Sequence, residues 1–141
     1  MKRVAGIGFL IFSCASGQVI AQVTNPCLDP PNGYPRVTGL SGVLTGQAVN
    51  ANGGGENWNE IHGAGGALCK VGLGPGDPVD PTVVVGSWGT NDGLSQVTYS
   101  YTGGSSYNWI VRANGSTYYF CNGTELIATG VLGGGSACPP P

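Results

Sequence analysis

The only histidine, His62, closes the run Glu56-Asn57-Trp58-Asn59-Glu60-Ile61-His62. Alternate side chains of an extended strand share a face, so Glu56, Trp58, Glu60 and His62 point one way. Two carboxylates and an imidazole on one face can share a proton or hold a divalent cation. A zinc site with one histidine would need further carboxylates from elsewhere in the fold. The plainer expectation is a solvated polar edge beside Trp58. A second pair of carboxylates, Asp77 and Asp80, lies in Gly74-Pro75-Gly76-Asp77-Pro78-Val79-Asp80-Pro81. Paired carboxylates suit a hard cation, although Asp before Pro more often starts a turn. Trp58, Glu60, His62, Asp77 and Asp80 are the candidate ligand-binding residues. Glu56, Glu60 and His62 are the set that a metal-dependent enzyme would use.

Other catalytic patterns do not occur. The sequence has neither a Gly-x-Ser-x-Gly elbow nor a His-Glu-x-x-His pair. The glycine runs at 53–55 and 133–135 lack the Lys-Ser/Thr continuation of a phosphate loop. Glu56 and Glu60 on one strand do not form the opposed carboxylates of a glycosidase. The expectation is a non-catalytic protein without a cofactor. Trp58, Trp88 and Trp109 either stack on a ligand such as a sugar or fill the core, and Trp88, after Val83-Val84-Val85, is expected to be buried. Asn114-Gly-Ser and Asn122-Gly-Thr match the glycosylation pattern, but each also reads as a turn.

The chain begins Met1-Lys2-Arg3, followed by an apolar run from Val4 to Phe12 and by Val19-Ile20-Ala21. A positive start, a short apolar stretch and a small residue at the cut predict a signal peptide over 1–21. Reading Ile11-Phe12-Ser13-Cys14 as a lipoprotein signal is an alternative that Phe12 fits poorly. The run is too short to span a bilayer, and no later segment approaches the roughly 20 residues required. After residue 21 three cations, Arg36, Lys70 and Arg112, face seven acids. That balance excludes a nucleic-acid binder, which needs a basic face for phosphates. Cys27, Cys69, Cys121 and Cys138 remain, an even count that predicts two disulfides in an oxidising compartment. Three pairings are open, and the usual closeness of chain ends favours Cys27–Cys138 with Cys69–Cys121. The expected location is periplasmic or extracellular.

The positioning elements are strands. Glycine supplies 27 of 141 residues and charged residues only 9%, and apolar residues do not recur at helical spacing. A Pro-rich extended lead-in is expected over 22–36, a β domain over 37–132 and a Gly/Pro-rich tail over 133–141. Strands are expected at 43–49, 56–62, 67–71, 83–88, 97–101, within 107–121, and at 126–132. Asn114-Gly115 predicts a type I′ hairpin that sets Arg112 opposite Thr117, Val111 opposite Tyr118 and Trp109 opposite Phe120. One face then carries Tyr107, Trp109, Val111, Tyr118 and Phe120 toward the core. The other carries Asn108, Ile110, Arg112, Thr117, Tyr119 and Cys121. Asn122-Gly123 turns the chain again. The fold class is all-β: an antiparallel sandwich or partly open barrel of about six to eight short strands, stapled by disulfides.

Val85-Gly86-Ser87-Trp88 resembles the Gly-x-Trp opening of lipocalin and avidin barrels over four residues. A longer pattern runs from Leu44-Thr45-Gly46 through Trp58-Asn59-Glu60-Ile61-His62, the Asp77–Asp80 loop and Gly86-Ser87-Trp88. It continues to Val97-Thr98-Tyr99-Ser100-Tyr101 and Tyr118-Tyr119-Phe120-Cys121. This pattern resembles short exported proteobacterial β-rich proteins of uncharacterised activity. The resemblance implies a bacterial, exported chain and transfers no catalytic residue. The leading expectation is a β module that binds a ligand or an envelope or extracellular partner. A structural or self-assembling surface subunit and the metal-dependent enzyme are the alternatives.

Overall fold

The computed structural model describes residues 24–71, 82–134 and 137–138. The expected signal peptide and the Asp77–Asp80 loop lie outside the described residues. Eight antiparallel strands follow one another around a closed barrel: β1 (Gln47–Gly53), β2 (Glu56–His62), β3 (Ala67–Val71), β4 (Thr82–Asn91), β5 (Gln96–Tyr101), β6 (Ser106–Asn114), β7 (Thr117–Asn122) and β8 (Glu125–Gly134). β8 returns to pair with β1, Ala51 opposite Gly130. The choice between sandwich and barrel therefore falls to the barrel. Closure gives every described strand a neighbour on each side, so none of them is an edge strand.

Turn chemistry fixes the hairpins. Gly54 and Gly55 both have positive φ between Gly53 and Glu56, as a type I′ turn requires. The expected type I′ turn at Asn114-Gly115 is corrected. Only Gly115 has positive φ, and Asn114 pairs with Thr117, so the loop is Gly115-Ser116 with the glycine first. That arrangement fits type II′. Val111 consequently faces Phe120 rather than Tyr118, and Arg112 faces Tyr119. The slip is two residues, and a shift of two preserves the pleat. Val111 and Phe120 stay in the core, and Trp109 meets Phe120 diagonally at 6.1 Å between ring centroids.

The barrel interior is mainly apolar, and the outer face mixes polar ladders with exposed apolar side chains such as Val71, Leu126 and Val131. Val49, Ala51, Leu68, Val97, Tyr99, Val111, Phe120 and Ala128 fill the interior. Outside, Asn59 donates to Asn50, Asn52 to Asn57 and Thr98 to Asn108 across neighbouring strands. Gly86, the glycine of the Gly-x-Trp resemblance, lies in β4, midway round the barrel rather than at its opening. A Cβ there would collide with the Ser100 carbonyl, so the strand needs glycine at this close approach.

One end is closed. The strand expected from Val43 starts only at Gln47, and residues Leu40–Leu44 form a one-turn helix, α1. Its Leu40 and Leu44 are fully buried and join the barrel core with Val37 and Val43. Asp92, in the β4–β5 turn, accepts hydrogen bonds from the Ser41 backbone N–H and hydroxyl. These bonds hold its carboxyl below the usual carboxylate range.

The cysteines pair as Cys27–Cys121 and Cys69–Cys138, which corrects the expected pairing. Cys121 lies outward on β7, where the segment leading to α1 crosses. That segment is also held by Arg112, only 3% exposed, which donates to the Tyr34 carbonyl at 2.6 Å and to Asp29 at 2.8 Å. Asp29 is correspondingly held below its ordinary pKa, chiefly by that Arg112 hydrogen bond. On the opposite wall, outward-facing Ala48, Ile61 and Cys69 make a small second cluster that Cys138 covers.

Candidate functional site

The polar face of β2 points inward, and the expected solvated edge is overturned. Trp58 packs against the core, Glu60 is 6% exposed and His62 is completely buried. Asn57 and Asn59, in between, bond to the outer Asn ladder. Ile61 shares their outward face yet is 1% exposed, because the Cys138 tail covers it. Hydrophobicity alone would have placed Ile61 inside and the acid and imidazole outside.

The three inward residues of β2 meet different partners. His62, toward the closed end, bonds through Nε2 to the Tyr99 hydroxyl at 2.8 Å. Its ring packs edge-on against Trp88, centroids 4.9 Å apart, and the Trp88 indole donates to the Gly63 carbonyl at 3.0 Å. Burial lowers the His62 pKa to about 4, so the ring is neutral at pH 7. The Gln47 backbone opposes that lowering, and Nδ1 completes no hydrogen bond. With the ring proton on Nδ1, Nε2 accepts from the Tyr99 hydroxyl. The Tyr99 hydroxyl, raised well above its ordinary pKa by burial, stays protonated and supplies the donor.

Glu60 sits nearer the other end. The Tyr101 hydroxyl donates to its Oε1 at 2.7 Å. Burial raises its pKa, opposed in turn by hydrogen bonds from Tyr101 and Trp58 and by the charge of Lys70. Lys70 lies opposite Glu60 in the β2–β3 register, but the ion pairs among the described residues join Asp29 to Arg36 and Arg112.

Glu60 lines a partly open cavity with the rings of Trp58, Tyr99, Trp109 and Phe120. Ala51 and Ala128 complete the wall and, being small, leave the space that larger side chains would fill. About 10 Å³ is open to the centre of a water molecule, room for about one water. Ala51 and Trp58 are two pairs from the β1–β2 turn, so the cavity lies toward the end opposite α1. There Tyr107, 45% exposed, stacks on Trp109 at 5.6 Å and meets Tyr101 edge-on at 6.1 Å. Aromatic rings thus run continuously from the rim to Glu60.

The remaining candidates do not join this site. Glu56 is exposed at the hairpin tip, six residues from His62, or about 20 Å of extended strand. No three His, Cys, Asp or Glu side chains cluster suitably for a metal among the described residues. β3 ends at Val71 and β4 starts at Thr82, and Asp77 and Asp80 belong to the connection between them, outside the described residues. Sequence reasoning missed Tyr99, Tyr101 and Tyr107. Their alternation in Tyr99-Ser100-Tyr101 was the available signal, since it puts both hydroxyls on one face. No protein-family profile, curated protein or solved structure matches this chain.

Proposed function

We propose that this chain is a non-catalytic binding barrel that takes a small ligand, or one end of a larger one, through the rim opposite α1. One observation carries the reading: a buried carboxyl lines a partly open cavity with four aromatic residues. A barrel needing only a filled interior would place an apolar side chain at position 60. Eight strands leave room for packed side chains or one small ligand, and few convergent polar groups in an apolar pocket are what a binding site uses. Strand closure supports this over a self-assembling subunit, because strand addition needs a free edge. The spread of Glu56, Glu60 and His62 likewise lends the metal-dependent enzyme no support.

The test is a small-molecule screen on the purified oxidised protein, read by amide and indole N–H resonances. Binding at the rim shifts the Trp58 and Trp109 indole signals and leaves that of Trp88 in place. Shifts confined to the segment around Asp29 and Tyr34, or no saturable shift with any compound, would discard the reading.

A further inference from the structure

We infer that the rim receives a primary ammonium group, which occupies the one-water space beside Glu60 while the rest of its ligand leaves between Trp58, Trp109 and Tyr107. This rests on the binding-barrel reading and gives it a ligand class.

Charge, acceptors and size converge on that class. The cavity pairs a carboxyl with four aromatic residues, and ring faces attract a cation within about 6 Å. A carboxylate offers about four lone-pair positions, and the Tyr101 hydroxyl accounts for one of them. The Tyr99 oxygen, whose proton is committed to His62, keeps lone pairs for a second donor. An ammonium head has the size of the water the cavity admits, and it carries three donors. A quaternary head is larger and carries none. The apolar walls from Ala51 and Ala128 suit a methylene tail.

The groups facing Glu60 are Tyr101, Tyr99 and Lys70, with His62 further along the same face and Tyr107 behind Tyr101. Burial of the carboxyl favours its neutral form. A bound cation offsets that penalty, so amine binding strengthens as pH rises through the Glu60 titration. Lys70 is the cation within the chain that competes.

The experiment titrates n-butylammonium, tetramethylammonium and 1-pentanol into the full oxidised protein, following the Trp58 and Trp109 indole N–H signals. Butylammonium is expected to saturate, to outbind both other probes, and to weaken as pH falls. Glu60→Gln should weaken it more than about tenfold, since a hydrogen bond to a buried charge exceeds the 1.4 kcal/mol of a tenfold change. Lys70→Met should strengthen it. If Glu60→Gln fails to fold, the pH series on the unmodified protein decides alone. Equal binding of pentanol with no pH dependence would overturn the ammonium assignment and leave the binding barrel standing. Tighter binding of tetramethylammonium would overturn the size argument, and with it the assignment to a primary amine. No response to any of the three, while screening compounds still shift the rim, would overturn the ammonium alone. No response to either would remove both.

Discussion

The two ends of the barrel solve the same problem, a polar side chain on an inward face, in opposite ways. At the α1 end His62 is sealed beneath Trp88, bonded to Tyr99 and kept neutral. At the rim Glu60 is also buried, but it lines a partly open cavity. The first arrangement holds His62 among packed rings, with Tyr99 bonded to its Nε2. The second sets a carboxyl beside a water-sized cavity. Near-complete burial therefore says little about role. What distinguishes the two residues is whether space adjoins the polar atom.

The sharpest way to break this contrast is to open the closed end. Leu44→Ala removes a fully buried side chain from α1 and should cost about 2–5 kcal/mol in urea unfolding. Ligand response at the rim should persist wherever the variant remains folded. Loss of that response in the folded variant would mean that the two ends are one cooperative unit.

Falling and rising pH should then act on different ends. The pKa of His62 falls from 6.5 to about 4 on folding. Its contribution to stability is thus complete above pH 6.5 and is lost as pH drops toward 4. At pH 5 the loss should be about 2 kcal/mol relative to pH 7.5, and His62→Gln should flatten that part of the urea-stability profile. Glu60 has the opposite sign, because its pKa is raised on folding. Its contribution is complete below pH 4.5 and declines as pH rises through the folded value. Glu60→Gln should remove that decline while leaving the acid limb intact. A single profile shared by both variants would show that the two groups titrate as one.

Much of the fold was legible because turns and pleat parity are local. Glycine pairs marked the hairpins, and a register error of two residues around Gly115 left every side chain of β6 and β7 on its proper face. The closed end was not legible. Leu40-Ser41-Gly42-Val43-Leu44 is a single helical turn, too short to show a period. The site was half legible. Alternation put Trp58, Glu60 and His62 together, but the direction of that face depended on chain far away. Cys138 covers Ile61 from outside, which frees the opposite face of β2 to turn its polar groups inward. The same distant contact decides the Cys69–Cys138 pairing, which proximity of the chain ends did not foresee.

The mildest perturbation belongs at the rim itself. Tyr107 is 45% exposed and contributes mainly by stacking on Trp109, a contact worth about 0.5–1.5 kcal/mol. Tyr107→Ala should therefore move the urea midpoint less than Leu44→Ala does, while weakening ligand binding measured on the Trp109 indole signal. The order of these two effects is the informative quantity. A core residue loses stability first and binding only as a consequence; a rim residue loses binding at nearly unchanged stability. Should Tyr107→Ala destabilise the fold as strongly as Leu44→Ala with no change in ligand response, the exposed ring would be a second lid, and the barrel would have two closed ends.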